Sequence, residues 1–547
     1  MTEPRETGPG ETRPEETRPE DVGRDDAGPE EVRPEEVSAE ETRAEDAPVA
    51  AAPVASGTEA EPKRTRSARG AVIIGARIAT GTIGIAVAVA TVAAASWLPL
   101  PSLSAEPLVT SVVPVPADQQ RVCAGPILRL GSDTGEEATK ASSIGIPEVV
   151  SAASSGHVSE SRLSSTDSTT GIAPDQLMLP AEAITPGTVP LLAGGQAQSV
   201  AQGDFTGLAA AECREASGDA WLVGGATTTG RTTLLTMSNP GSVIATVTVT
   251  IYTENGKITA AGTDGIVVPP GGQRILSLAG FAPDAVAPVV RVQSTGSQIV
   301  ANLQQSVVRT LVPGGVDVIG ATTAPAKVAV IPGLVLSTMD AIESQSHRPD
   351  YGDLAPVLRF LVPGTRQANA EISIVPENGT AKAVVNKLTL DPGKVTELPF
   401  GDFGAGSYTV TIRSDVPLVA SARTSRYGGD AVPQDTDFTW FAAAQAVRKN
   451  ALVAVAAGPS PMLHLANTGT ADASVSIERR GGSATALPPV TIPAGGAVSV
   501  PVQAGGSYEL GGFGSLAVSV SYDGGGALAA YTVSPTGPAA QPIDVYR

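Results

Sequence analysis

The sequence predicts a mostly β protein, with tandem antiparallel β-sandwich modules of immunoglobulin-like outline set after one transmembrane helix and a disordered N-terminal tail. Three observations carry this expectation. Alternating strands and Gly/Pro turns recur three times in units of about 100 residues. Only 3% of the 547 residues are aromatic, whereas there are 60 Gly and 45 Pro, a composition that suits small-residue strands joined by turns. An uncharged apolar stretch at 78–98 is long enough to cross a bilayer.

Residues 1–69 are expected as an acidic cytoplasmic tail without fixed structure. Its Glu-rich units repeat as Glu11-Thr12-Arg13-Pro14-Glu15, Glu16-Thr17-Arg18-Pro19-Glu20 and Glu31-Val32-Arg33-Pro34-Glu35, and they offer too little apolar surface to offset chain entropy. A solvated spacer is the expected role, with a docking tail as the competing one. The net charge of −19 argues against nucleic acid as a partner, since no basic face is left to neutralise phosphates.

Residues 70–99 are expected as the transmembrane helix with its basic flank. Lys63, Arg64, Arg66, Arg69 and Arg77 precede the apolar stretch and none follows it closely, which places the N-terminus in the cytoplasm and everything after Pro99 outside. Ala93-Ala94-Ala95 would suit cleavage before Ser96, but the long region ahead of it favours an uncleaved signal-anchor. On the outer, oxidising side lie the only two cysteines, Cys123 and Cys213, expected as one disulfide. Two buried thiols or an intermolecular bridge are the alternatives. No CxxC spacing occurs and His157, His347 and His464 are scattered, so neither a metal site nor a cofactor is expected.

Four modules are expected outside the membrane: a degenerate one at 105–218 containing the disulfide, then 219–325, 326–445 and 446–547. The three clear copies open with a strand and turn at Leu234-Leu235-Thr236-Met237-Ser238-Asn239-Pro240-Gly241, Leu358-Arg359-Phe360-Leu361-Val362-Pro363-Gly364 and Leu463-His464-Leu465-Ala466-Asn467-Thr468-Gly469. Strands of period two follow at 245–251, 370–374 and 473–477, with Val and Ile on one face. Turns come next at Asn255-Gly256, Asn378-Gly379 and Gly481-Gly482, then at Pro269-Pro270-Gly271-Gly272, Pro392-Gly393 and Pro493-Ala494-Gly495-Gly496. Two closing strands are expected in each copy, at 289–294 and 299–302, at 408–414 and 418–421, and at 516–521 and 528–531. In the degenerate copy, 127–130 is the first strand, Ile184-Thr185-Pro186-Gly187 the second turn and 207–213 the final strand, while the Ser- and Gly-rich 142–170 reads as a long loop or partly disordered insert. Because each module is large enough for two packed sheets, residues 451–547 are expected to fold alone.

The stretch Trp221-Leu222-Val223-Gly224-Gly225, running into Leu234 and Ser238-Asn239-Pro240-Gly241, together with Cys213 and Val268-Pro269-Pro270-Gly271, resembles a secreted or membrane-anchored actinobacterial family of unknown function. The likeness covers roughly 108–547 and leaves out the tail. It implies a cell-envelope protein of high-GC Gram-positive bacteria and supplies no catalytic residues.

No HExxH, GxxxxGK[ST], GxSxG or EF-hand pattern occurs, and a noncatalytic protein is expected. The candidate recognition loop is an insertion absent from the last copy, carrying Asp340, Glu343, His347, Asp350, Tyr351 and Asp353; a polar surface loop without a ligand is the expected reading, with recognition or calcium held by its carboxylates as the alternatives. Trp221 and Trp440 are expected in the core, the alternative being sugar stacking. Asn378-Gly379-Thr380 fits a glycosylation sequon but reads as a turn. Taken together these features point to a membrane-anchored envelope protein whose modules act as a spacer and as a binding or scaffolding surface for wall polymer or another envelope protein. The alternatives are an accessory or regulatory subunit of a membrane-bound envelope-synthesis enzyme, and a hydrolase with an unrecognised site.

Overall fold

The computed structural model describes residues 86–91, 109–112, 118–131, 140–183, 190–378, 384–399, 403–429, 435–481, 486–536 and 543–546. The chain divides into two bodies, Met1–Ser104 and Ala105–Arg547. In the first, residues 86–91 are helical, and the Thr91 hydroxyl donates to the Val87 carbonyl at 2.8 Å. The expected tail and the rest of the expected membrane segment lie outside the described residues. Among the described residues no helix is long and apolar enough to cross a membrane.

The second body is mostly β, and the three clear repeats share one strand order. In the second module one layer runs Ile266–Val268, Ala245–Thr253, Val289–Thr295, Asp219–Val223, and the other runs Gly272–Ser277, Arg231–Asn239, Val300–Arg309, Val312–Ile319. The third and fourth modules keep this order, but the layers are joined. Gly406–Arg426 and Ser507–Gly524 each pass from one layer into the other as single strands, curling a seven-stranded sheet onto itself. The pairs of strands expected at 408–414 and 418–421 are therefore one strand. In the last copy 516–521 is the second half of such a strand, because Leu463 pairs with Val520 as Leu358 pairs with Ala422. Strand 528–531, expected as its sequel there, has counterparts that the sequence reading left out of the other copies.

Turn chemistry explains the repeated motifs. The Asn239 side chain accepts from Gly241 at 3.0 Å and donates to Val268 at 3.1 Å, and Asn467 does the same with Gly469 at 2.9 Å and Ile492 at 2.9 Å. Asn-Pro-Gly and Asn-Thr-Gly are thus side-chain-closed turns that also pin the neighbouring turn. In that second turn Gly271 and Gly495 sit at φ of 61° and 73°, which glycine alone adopts without strain.

In the first module, Gln119–Val122, Asp175–Leu179 and Ser159–Arg162 form one small sheet, and Glu148–Ala153, Leu192–Gln202 and Phe205–Glu212 form another. Cys123 and Cys213 are disulfide-bonded between the ends of the outermost strands. Part of 142–170, expected as a loop, is paired strand: Val149, Ala152 and their neighbours match the small residues of 192–197. The turn expected at 184–187 lies outside the described residues.

The modules do not keep separate cores, which argues against the expectation that residues 451–547 fold alone. The last strand of each module carries apolar side chains on both faces, and its period of two divides them between neighbours. In Ala527–Thr532, Ala529 and Tyr531 join the core of the fourth module while Leu528 and Ala530 join that of the third. In Asp437–Ala442, Phe441 belongs to the third module and Phe438 and Trp440 to the second. In Val312–Ile319, Ile319 belongs to the second and Val316 and Val318 to the first. The circuit closes because Leu208 and Ala210 of Phe205–Glu212 lie in the core of the fourth module. Closure is reinforced by Ala152, Leu191 and Ala193 packing on Leu452 and Ala454, and by Val109–Val112 pairing antiparallel with Ile543–Tyr546.

At the meeting point of the four last strands sits one buried carboxylate. Asp437 accepts the amides of Leu208 at 2.9 Å, Val316 at 3.3 Å, Leu528 at 3.0 Å and its own neighbour Phe438 at 3.0 Å, one from each module. The residues preceding those amides are Gly207, Gly315, Asp437 and Ala527. A side chain at Gly207 or Gly315 would run into the Asp437 carboxylate, so three small residues make room for the fourth.

Candidate functional site

The expected recognition loop is built around a two-turn helix, Met339–Ser346, with Thr338 ahead of it in the left-handed region at φ 51°. Asp340, Glu343, His347 and Asp350 are exposed on its surface. Tyr351 and Asp353 face inward. Asp353 pairs with Arg309 at 2.7 Å and Arg231 at 3.1 Å, both from the second module. Burial opposes its ionisation, but the Arg309, Arg423 and Arg231 charges hold its pKa below the ordinary value. Tyr351 meets Tyr427 edge-on at 6.3 Å and lies beneath Arg348 at 4.7 Å and Arg309 at 5.5 Å. The insertion thus ties the third module to the second and does not gather its six polar residues into one site. Among the described residues no three His, Cys, Asp or Glu side chains converge as metal ligands.

The same junction holds Arg359, fully buried, which donates to the carbonyls of Gly225 and Pro288 at 2.9 Å each and pairs with Glu397 at 2.7 Å. Its guanidinium stacks 4.3 Å from the Trp440 ring, whose Nε1 donates to Gln305 at 2.8 Å. Trp440 and Trp221 are 2% and 3% exposed, so neither ring is presented as a platform for a sugar.

His464 occupies the place in the fourth module that Arg359 occupies in the third. Its Nδ1 lies 2.6 Å from Glu377 Oε2 and its Nε2 lies 2.7 Å from Ser521 Oγ. Glu377 also accepts from the Thr409 hydroxyl at 2.7 Å and the Gly333 amide at 3.0 Å. Burial opposes its ionisation, yet His464 and these donors keep its pKa below the ordinary value. A serine, an imidazole and a carboxylate in line are the parts of a nucleophilic relay. Here the Ser521 and His464 side chains are 1% and 0% exposed, so the geometry is sealed between two modules. The neighbouring turn is tied across the same junction: the Asn378 side-chain amide donates to the Ser499 carbonyl at 3.0 Å and accepts its amide at 3.2 Å. The expected turn residue thereby caps a strand edge.

Two clefts remain. One, of about 410 Å³, is bordered by Arg214, Asp219, Trp221, Gln445 and Ser534. Behind Arg214, Glu212 binds Arg121 at 2.9 Å and the Ser534 hydroxyl at 2.7 Å, and burial lowers the Arg214 pKa. The other is a groove of about 560 Å³ between the third and fourth modules, bordered by Val328, Val330, Thr411, Arg413, Arg448 and Ser515. Sequence reasoning missed Asp437, Arg359, the His464 relay and both groove arginines. The available signal was a polar residue in an otherwise apolar strand, as in Leu463-His464-Leu465 and Leu358-Arg359-Phe360, where a buried polar group implies a partner.

The model of a family of unknown function, DUF5719, matches residues 173–503, reaching into all four modules. No curated protein matches. Among solved structures, the crystal structure of Thermotoga maritima 1070 aligns over 95% of its own chain and 22% of this one, at 18% identity and a TM-score of 0.18.

Proposed function

This chain belongs to DUF5719, a family of unknown function, and from that premise we propose that it is a noncatalytic, membrane-anchored protein of an actinobacterial cell envelope. Its modules, read as immunoglobulin-like sandwiches, act as a spacer and a binding or scaffolding surface for wall polymer. The apolar stretch 78–98 is the signal-anchor, the acidic tail lies in the cytoplasm and the β body lies outside. One observation supports the noncatalytic reading: buried polar groups such as Arg359, Asp353 and Asp437 join modules to one another, and the Ser521–His464–Glu377 relay found among the described residues is closed to solvent. A closed body with shared cores suits a rigid platform better than a moving active site.

Sedimentation of the detergent-solubilised full chain with purified cell-wall sacculi tests the binding role. Co-sedimentation is expected, and a chain that stays in the supernatant would remove that role. Topology is read by protease added to spheroplasts. Digestion beyond Pro99 with a spared tail is expected, and a digested tail would reverse the orientation.

A further inference from the structure

The groove between the third and fourth modules opens at the junction whose packing residues are the smallest. Trp221 pairs across its sheet with Arg291, and Val330 pairs with Thr411 at the corresponding place in the third module. At the second-to-third junction Trp221 stacks on Tyr252 at 6.2 Å, lies beneath Arg291 at 5.0 Å and packs on Leu361, Val395 and Val419. At the fourth-to-first junction Leu452 packs on Ala152 and Leu191. At the third-to-fourth junction Val330 packs on Ala466, Ala497 and Ala517, but all of these side chains are small, and a groove of about 560 Å³ stays open beside them.

The open groove has a distinct charge. Arg413 and Arg448 both border it and are exposed, and no carboxylate borders it. Neither arginine has an ion-pair partner among the described residues. Glu371, directly across the sheet from Arg413, pairs with Lys387 at 3.9 Å instead. In a chain of net charge −19, two unpaired guanidinium groups around one concavity select for anions, and each presents a planar fork suited to a carboxylate or phosphate. The floor between them combines apolar and hydroxyl groups: Val328, 45% exposed, beside Thr411 and Ser515. Such a surface matches a saccharide ring, which offers both C–H faces and hydroxyls.

We propose that this groove binds an acidic oligosaccharide, its carboxylate or phosphodiester groups held by Arg413 and Arg448. The site rests on the wall-polymer reading above and gives that reading a location. Titration calorimetry on the full chain in detergent, at low and high salt, uses four probes: a glycerol-phosphate oligomer, an oligogalacturonate, a neutral dextran oligomer and a poly-glutamate peptide. Salt-sensitive binding of at least one acidic saccharide is expected, with none of dextran. The glycerol-phosphate and oligogalacturonate arms separate phosphodiester from carboxylate. The Arg413→Gln/Arg448→Gln double variant, altered only at exposed positions, is expected to bind about tenfold more weakly or worse. Arg366→Gln, exposed but outside the groove, leaves affinity unchanged. Failure of both acidic saccharides to bind, an unchanged affinity in the double variant, or equal binding of poly-glutamate would overturn the proposal. If the double variant still sediments with sacculi as the parent chain does, the groove assignment falls and the platform role stands. If the parent chain does not sediment, the platform role falls too.

Discussion

The Asp437 carboxylate accepts the amide of Leu528 at 3.0 Å, linking the third module to the fourth across 91 residues of sequence. The same two oxygens accept from Leu208 and Val316, so one side chain bonds the last strand of every other module. Asp437→Ala would leave amides from four strands buried without an acceptor, each costing about 1–3 kcal/mol. Urea unfolding of the full chain should show a loss of several kcal/mol, on the order of 3 or more, with Asp437→Asn intermediate. A variant as stable as the parent would mean the four strands meet by apolar packing alone.

A fragment of residues 446–547 is expected not to fold cooperatively by itself. Leu528 and Ala530 would lose the third module, and the fourth-module core would lose Ala197, Leu208 and Ala210. Loss of contacts equivalent to several large-to-small core changes, about 2–5 kcal/mol each, approaches the stability of a whole small domain. Circular dichroism during urea titration distinguishes the cases. A sharp β transition in the fragment, close to that of the full chain, would restore the picture of independent modules.

What the sequence made legible is what repeats locally. The period-two strand 245–251, the Asn-Pro-Gly turn and the Pro-Gly turn each encode their geometry within a few residues, and all appear where expected. The cysteine pair was legible because only two exist. The last strands were not legible as a set, because Val312–Ile319, Asp437–Ala442 and Ala527–Thr532 resemble one another only in having two apolar faces. Such a strand declares that both sides are covered, but not by which partner. Arg359 and His464 hold equivalent positions yet use unlike chemistry, so no motif links them. Of the expected loop, Asp353 and Tyr351 proved to be junction residues, since their arginine partners at 231 and 309 lie over 40 residues away in sequence.

Stability should fall from mildly acidic to alkaline pH. Asp317 is fully buried, accepts the Trp440 amide at 2.7 Å and the Thr439 hydroxyl at 3.2 Å, and burial pushes its pKa up to about 8. The folded chain therefore keeps a proton that the unfolded chain sheds near pH 4. The resulting stabilisation is complete below that pH and is lost as the pH rises through about 8, at up to ~1.4 kcal/mol per pH unit. Asp437, also raised by burial, acts in the same direction. Asp353, Glu377 and Glu397 have lowered pKa values and oppose the trend only as the pH falls below their unfolded range. Urea midpoints at pH 5 and pH 9 should differ in this sense, and Asp317→Asn should narrow the gap. An unchanged gap would show that Asp317 is not the titrating group.

If Ser521, His464 and Glu377 join two modules and do no chemistry, their loss should be read in stability. His464→Ala leaves a buried carboxylate without its closest donor, at 2.6 Å, and breaking such a pair costs about 3–5 kcal/mol. Ser521→Ala removes one hydrogen bond of 2.7 Å and should cost only about 1 kcal/mol. A catalytic relay would reverse that order of importance, because the serine would be the nucleophile and its removal would abolish turnover with little change in stability. A fluorophosphonate probe separates the two directly. The native full chain should remain unlabelled, since Ser521 is only 1% exposed. Stoichiometric labelling at Ser521, lost in His464→Ala and in Ser521→Ala alike, would establish that the junction opens and that the buried triad is a hydrolytic site.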